Sequence, residues 1–78
     1  AHVETVAVEA GSEAVDGNAV TLQLRRRTGA TVIAVVREGA AIYEPVPSFR
    51  FRAGDVVVLV GTEGALEKAE GMFVADSR

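Results

Sequence analysis

The sequence predicts a small α+β domain of β-α-β-β-β-α order, with a sheet of about four strands and two helices. Two unbroken apolar runs, "TVIAVVR" (Thr31 to Arg37) and "VVVLV" (Val56 to Val60), read as strands: they are too short for helices and too apolar to alternate. Two other stretches, Asn18 to Arg27 and Thr62 to Phe73, space apolar residues three and four apart and read as helices. A chain of 78 residues holds one compact core and has no room for a second.

The first strand spans "HVETVAVE", His2 to Glu9, with Val6 and Val8 on one face and Glu4 beside them, an imperfect alternation. "AGSEAVDGN" gathers Gly, Ser, Asp and Asn in a loop, and Asn18 stands as the N-cap of a short helix. Val15, Ala19 and Leu22 give that helix a narrow apolar stripe. Arg25, Arg26 and Arg27 lie where cations favour a helix C-terminus, and Gly29 ends it. "TVIAVVR" then predicts a central strand covered on both faces. Glu38-Gly39 forms a tight turn into a brief strand around Ala41 to Tyr43. Pro45 and Pro47 remove two ladder donors and confine the segment to an edge or a loop. After a Gly54-Asp55 turn, "VVVLV" predicts a second strand buried on both faces, each side chain worth roughly 1.5 to 3 kcal/mol on burial. Thr62 caps the last helix, whose Ala65, Ala69, Met72 and Phe73 share one face. Glu63 suits its start, and Gly71 weakens it by up to ~1 kcal/mol.

Composition narrows the function. The chain is 49% hydrophobic and 24% charged, the balance of a folding domain. Its lack of Cys excludes disulfides, thiolate metal sites and a cysteine nucleophile. No run approaches the ~18 apolar residues of a membrane-spanning helix, so direct membrane insertion is not expected. A formal charge of −3 argues against nucleic acid as a partner, since phosphate binding needs a basic face. The chain opens on Ala1 and enters a strand almost at once, which reads as a fragment of something longer.

The residues contain no catalytic constellation, and an enzyme is not expected. The only histidine, His2, lies at an end that frays, and no nucleophile and base recur at a familiar spacing. Glu9, Glu13 and Asp16 are the one candidate hard-cation group, without an EF-hand spacing; solvated faces explain most carboxylates. "GTEG", Gly61 to Gly64, lacks the lysine and glycine spacing of a phosphate loop and reads as a strand-to-helix connection. Arg25, Arg26 and Arg27 have a plain reading, a solvated helix end, and a sharper one, a phosphate clamp beside the apolar opening of the next strand. Phe49-Arg50-Phe51-Arg52 has the alternation of a base-stacking platform, but aromatics leading into a buried strand more often pack on a core.

Taken together, "LQLRRRTGATVIAVVREGAAI" and, beyond Tyr43, "EPVPSFRFRAGDVVVLVGT" resemble the C-terminal subdomain of the RCK family, also called the TrkA-C domain. The resemblance spans nearly the whole chain. It rests on a Gly-Ser loop at Gly11-Ser12, an "L.LR.RTG" pattern at Leu22 to Gly29, and an apolar strand and turn at Val32 to Gly39. A proline segment at Glu44 to Pro47 and an "L..GD.L.V.G" pattern at Phe51, Gly54, Asp55, Val57, Val58 or Leu59, and Gly61 complete it. The ordered set is more specific than any one piece.

The resemblance implies a single RCK C-terminal domain over residues 1–78, a fragment or subunit of a larger transport system. Such domains dimerise in the cytoplasm and regulate potassium channels, transporters or cation/proton antiporters, so they are peripheral to the membrane through that partner. No cofactor is implied; in some relatives the effector is cyclic di-AMP, held in the dimer cleft. Carried over by position, the ligand-binding residues are Leu24, Arg25, Thr31, Val32 and Pro45, with Pro47 the other candidate proline. Relatives often carry asparagine where this chain has Thr31, which offers a hydroxyl in place of an amide. Two further readings remain open: an assembly module that binds no small molecule, and an amino-acid-sensing domain of a metabolic enzyme.

Overall fold

The computed structural model describes residues 1–75. Its elements run β1 (His2–Ala7), α1 (Leu24–Thr28), β2 (Thr31–Arg37), β3 (Ala40–Tyr43), β4 (Val56–Gly61) and α2 (Glu63–Phe73). This is the expected α+β order. The strands form one sheet, β1-β4-β2-β3, in which every neighbouring pair is antiparallel. The two valine-rich runs are the central strands, where each ladder has a partner on both sides. The proline-flanked β3 lies at an edge, as missing N–H donors require.

The β2–β3 turn is a two-residue hairpin with both central residues left-handed, Glu38 at φ 51° and Gly39 at φ 79°. That geometry matches the right-handed twist of the flanking strands. β2 also carries an irregularity between Val32 and Ala34 in its pairing with β4, where Ile33 is the extra residue. At the other end, Thr62 Oγ1 accepts from Ala65 N at 3.1 Å and caps α2 as predicted.

Both helices pack on one face of the sheet. Val35, Val57 and Leu59 point into the core and meet Leu24, Leu66, Ala69, Met72 and Phe73, all buried. Phe51 closes the core edge-on against Phe73, with ring centroids 5.5 Å apart. Alternation sends Val56, Val58 and Val60 the other way, and these remain only half-buried. Val3, which pairs with Val60, is 64% exposed, and Tyr43, which pairs with Ala34, is 77% exposed.

Two expectations are corrected. The strands predicted to be covered on both faces are covered on one, because this short chain supplies helices to one side only. The first helix is also shorter than predicted. Asn18 does cap a turn, its Oδ1 accepting from Val20 N at 2.9 Å and Thr21 N at 2.8 Å. The chain then departs from helical geometry: Leu24 N bonds to Ala19 O, five residues back, and Gln23 is left-handed at φ 52°. Regular helix begins only at Leu24 and ends at Gly29, whose φ of 86° makes it the left-handed C-cap that was expected.

Candidate functional site

The bend before α1, the start of β2 and the proline segment after β3 enclose a cavity of about 470 Å³. Its size falls in the usual range for small-molecule sites. Leu24, Arg25, Thr31, Val32 and Pro45 all line it, as does Pro47. Leu24 is buried, its side chain fixed by the core beneath. Thr31 and Val32 are half-buried at the first positions of β2. Residues far apart in sequence therefore share one wall because β2 and the proline segment flank the same helix.

The structure separates the three arginines. Arg27 turns away from the cavity and donates to Glu13 Oε1 at 2.7 Å, which raises its pKa, and to Leu22 O at 3.3 Å. Arg25 and Arg26 line the cavity, and among the described residues neither forms an ion pair. Two exposed guanidinium groups thus border an apolar slot whose polar additions include Gln23 and the Thr31 hydroxyl. The arrangement suits a ligand with a flat apolar part and an anionic part.

Sequence reasoning missed part of the lining. Val20 and Val46, 63% and 64% exposed, add apolar surface to the cavity, and Phe49 and Phe51 also line it. The aromatics are core residues as read, but one side of each faces the cavity. Their position is set by a polar clasp behind them. Arg37 donates from Nε to Asp55 Oδ1 at 2.8 Å and from Nη2 to Oδ2 at 2.7 Å, and Nη2 also reaches Arg50 O at 2.9 Å. Asp55 Oδ2 accepts in addition from Arg52 N at 2.8 Å, and the Arg37 guanidinium lies 4.7 Å from the Phe49 ring centroid. Hydrogen bonding from Arg37 holds the Asp55 carboxyl below the usual aspartate range, against the opposing effect of burial.

The remaining candidates do not converge. Glu9 accepts from Ala75 N at 3.0 Å and Glu13 is engaged by Arg27, so the acidic loop residues face separate partners. Among the described residues no three carboxylate or imidazole groups come together as metal ligands. His2 is exposed on β1, the opposite edge strand from the cavity wall. No helix among the described residues is long and apolar enough to cross a membrane.

Comparison with solved structures finds this architecture in the RCK_C domain dimer of S. agalactiae BusR in complex with c-di-AMP. The TM-score is 0.82 at 28% identity, over 91% of this chain and 88% of that one. BusR in complex with its busAB-promotor DNA matches with the same TM-score of 0.82 and 28% identity, but this chain covers only 35% of it. DNA binding is thus recorded for a much longer protein, and the expectation of no nucleic-acid partner does not extend to one. The RCK C domain of the potassium transport protein KtrA, in complex with c-di-AMP, shares the fold at TM-score 0.74 and 23% identity. That match covers 88% of this chain and 81% of the other. No curated protein matches the chain by sequence. The family model for the TrkA-C domain matches residues 3–74, nearly the whole chain, and the chain belongs to that family.

Proposed function

We propose that the chain is a ligand-sensing regulatory domain that binds a cyclic dinucleotide of the cyclic di-AMP class as a homodimer and thereby controls a potassium channel, transporter or cation/proton antiporter. One observation carries this reading: Leu24, Arg25, Thr31, Val32 and Pro45 line one apolar cavity bordered by two arginines that form no ion pair among the described residues. The BusR domain dimer, similar to this chain at 28% identity, was solved with that ligand. The full span of residues 1–78 serves as one domain of a larger, cytoplasmic transport system.

The chemistry follows from the lining. A purine ring enters between Leu24, Val32 and the proline segment, where apolar surface replaces water. Arg25 presents a forked donor to a phosphate, and Arg26 adds charge beside it. Thr31 contributes one hydroxyl to the base edge or sugar. A ligand with two equal halves and two phosphates matches two copies of this site across a two-fold axis. Binding acts on the transporter through linkage: the ligand favours the dimer geometry it fits better, by no more than its differential affinity.

Two variants test the reading with cyclic di-AMP as the probe. Arg25→Ala removes a charge-assisted contact and should weaken binding about 10- to 100-fold, while its exposed position leaves thermal stability nearly unchanged. Thr31→Asn supplies an amide and should tighten binding severalfold. An assembly module that takes no small molecule would show no binding in any of the three proteins.

A further inference from the structure

We infer that the side-chain amide of Gln23 reads the base edge of the ligand and sets a preference for adenine over guanine, a role that rests on the cyclic-dinucleotide reading above and narrows it to one base. Gln23 immediately precedes α1 and lines the cavity. Its backbone is left-handed, at φ 52° and ψ 43°. Asp16, Glu38 and Glu44 also have positive φ, but of these non-glycine residues only Gln23 lines the cavity.

The bend has a local cause. Leu22 and Leu24 are both buried in the core, whereas on a regular helix residues two apart lie about 200° apart around the axis and do not share a face. One left-handed residue between them lets both leucines point inward, and the side chain it carries is left at the cavity. Glycine is the residue that adopts this backbone without strain, yet the chain holds a glutamine there. The backbone groups of Gln23 are engaged: its N–H donates to Val20 O at 3.1 Å, and its carbonyl accepts from Arg27 N at 2.8 Å. The amide is left over. It does not cap α1, and among the described residues it has no hydrogen-bond partner.

The chemistry of the lining decides what such an amide reads. Among the cavity side chains Arg25 and Arg26 only donate, Thr31 offers a single hydroxyl, and Gln23 alone sets a donor and an acceptor side by side in one plane. Adenine presents the matching pair on its Hoogsteen edge: Gln23 Oε1 accepts from the N6 amino group while Nε2 donates to N7. Guanine presents two acceptors there, O6 and N7, which suit a guanidinium and leave the glutamine carbonyl facing an oxygen. A lining whose polar side chains were arginines alone would therefore favour guanine, and Gln23 reverses that preference. Its place in the turn fits the task. Val20 and Leu24 supply apolar lining on either side of it, and Arg25 and Arg26 follow directly, so the amide lies between the slot for the ring and the donors for phosphate.

The test titrates three probes, cyclic di-AMP, its analogue with 7-deaza-adenine bases and cyclic di-GMP, into the unaltered chain and into Gln23→Gly. The unaltered chain should bind cyclic di-AMP about 10-fold tighter than either other probe. Gln23→Gly should lose about that factor for cyclic di-AMP and almost nothing for the 7-deaza analogue, which already lacks the N7 acceptor. Its thermal midpoint without ligand should stay level or rise, because glycine relaxes the left-handed backbone. Lower affinity in a domain that is no less stable separates base reading from a structural role. Gln23→Met keeps the side-chain length, removes the amide and should show the same losses. Full affinity for cyclic di-AMP in Gln23→Met would trace the glycine effect to the backbone and overturn the assignment. Equal binding of cyclic di-AMP and cyclic di-GMP by the unaltered chain, or an undiminished 7-deaza penalty in both variants, overturns it too and leaves the dinucleotide reading standing. No binding of cyclic di-AMP by the unaltered chain overturns both.

Discussion

Asp55 shows how one side chain can organise a site it does not line. Asp55 is 2% exposed, and its carboxylate receives donors from Arg37 and the Arg52 backbone, which fixes the segment carrying Phe49 and Phe51. Asp55→Asn leaves the Arg37 guanidinium without its counter-charge and should cost about 2 to 3 kcal/mol, read from urea unfolding. Because the folded carboxyl holds its proton less tightly than the unfolded one, this stability is complete above about pH 4. It is lost as pH falls through the lowered folded value, and Asp55→Asn should flatten that acid limb. A limb of equal slope in the variant would assign the pH dependence to other carboxylates. The sequence showed Asp55 only as half of a turn, since its partner lies 18 residues away. Residue type and spacing likewise made the three arginines equivalent, and only the family resemblance singled out Arg25; the Glu13 contact, 14 residues away, is what sets Arg27 apart.

At the scale of elements, local signals were legible wherever the deciding interaction was local. The Thr62 cap, the Gly29 terminus, the Glu38-Gly39 turn and the buried stripe of α2 all depend on residues a few positions apart, and all appear as read. The first helix was overextended because Asn18 and the apolar spacing are local helix signals, whereas the left-handed Gln23 is not written in any residue preference. Two-sided burial of β2 and β4 was a reading of pattern, and a pattern does not say whether the same chain supplies the cover. Glycine substitutions separate these effects. Gly71 lies exposed in α2 with nothing near a built Cβ, so Gly71→Ala should stabilise the domain by up to about 1 kcal/mol. Gly29→Ala should destabilise by about 1 kcal/mol, because φ there is 86°, although the added methyl group would meet only Ala65 Cβ at an ordinary contact distance of 3.5 Å. Both are read as shifts in thermal midpoint, and a gain from Gly29→Ala would contradict the C-cap assignment.

For the whole molecule, the two faces of the sheet differ. Its covered face supports the core and, through α1 and the aromatic pair, the cavity; its other face, with Val56, Val58 and Val60, is only half-buried. Thr31 lies at the meeting of the two, since it pairs with Val60 on the sheet and also lines the cavity. A saturating ligand that binds only the folded dimer should raise the thermal midpoint in proportion to RT ln(1 + [L]/Kd), so that Arg25→Ala reduces the rise without changing the unliganded midpoint. The most direct measurement is isothermal titration of the purified domain with cyclic di-AMP at moderate salt, with mass determined by light scattering on the same sample. Saturable binding of one ligand per dimer is the expected result. A flat titration on a verified dimer would contradict the cyclic-dinucleotide reading and leave the arginine-bordered cavity without that ligand.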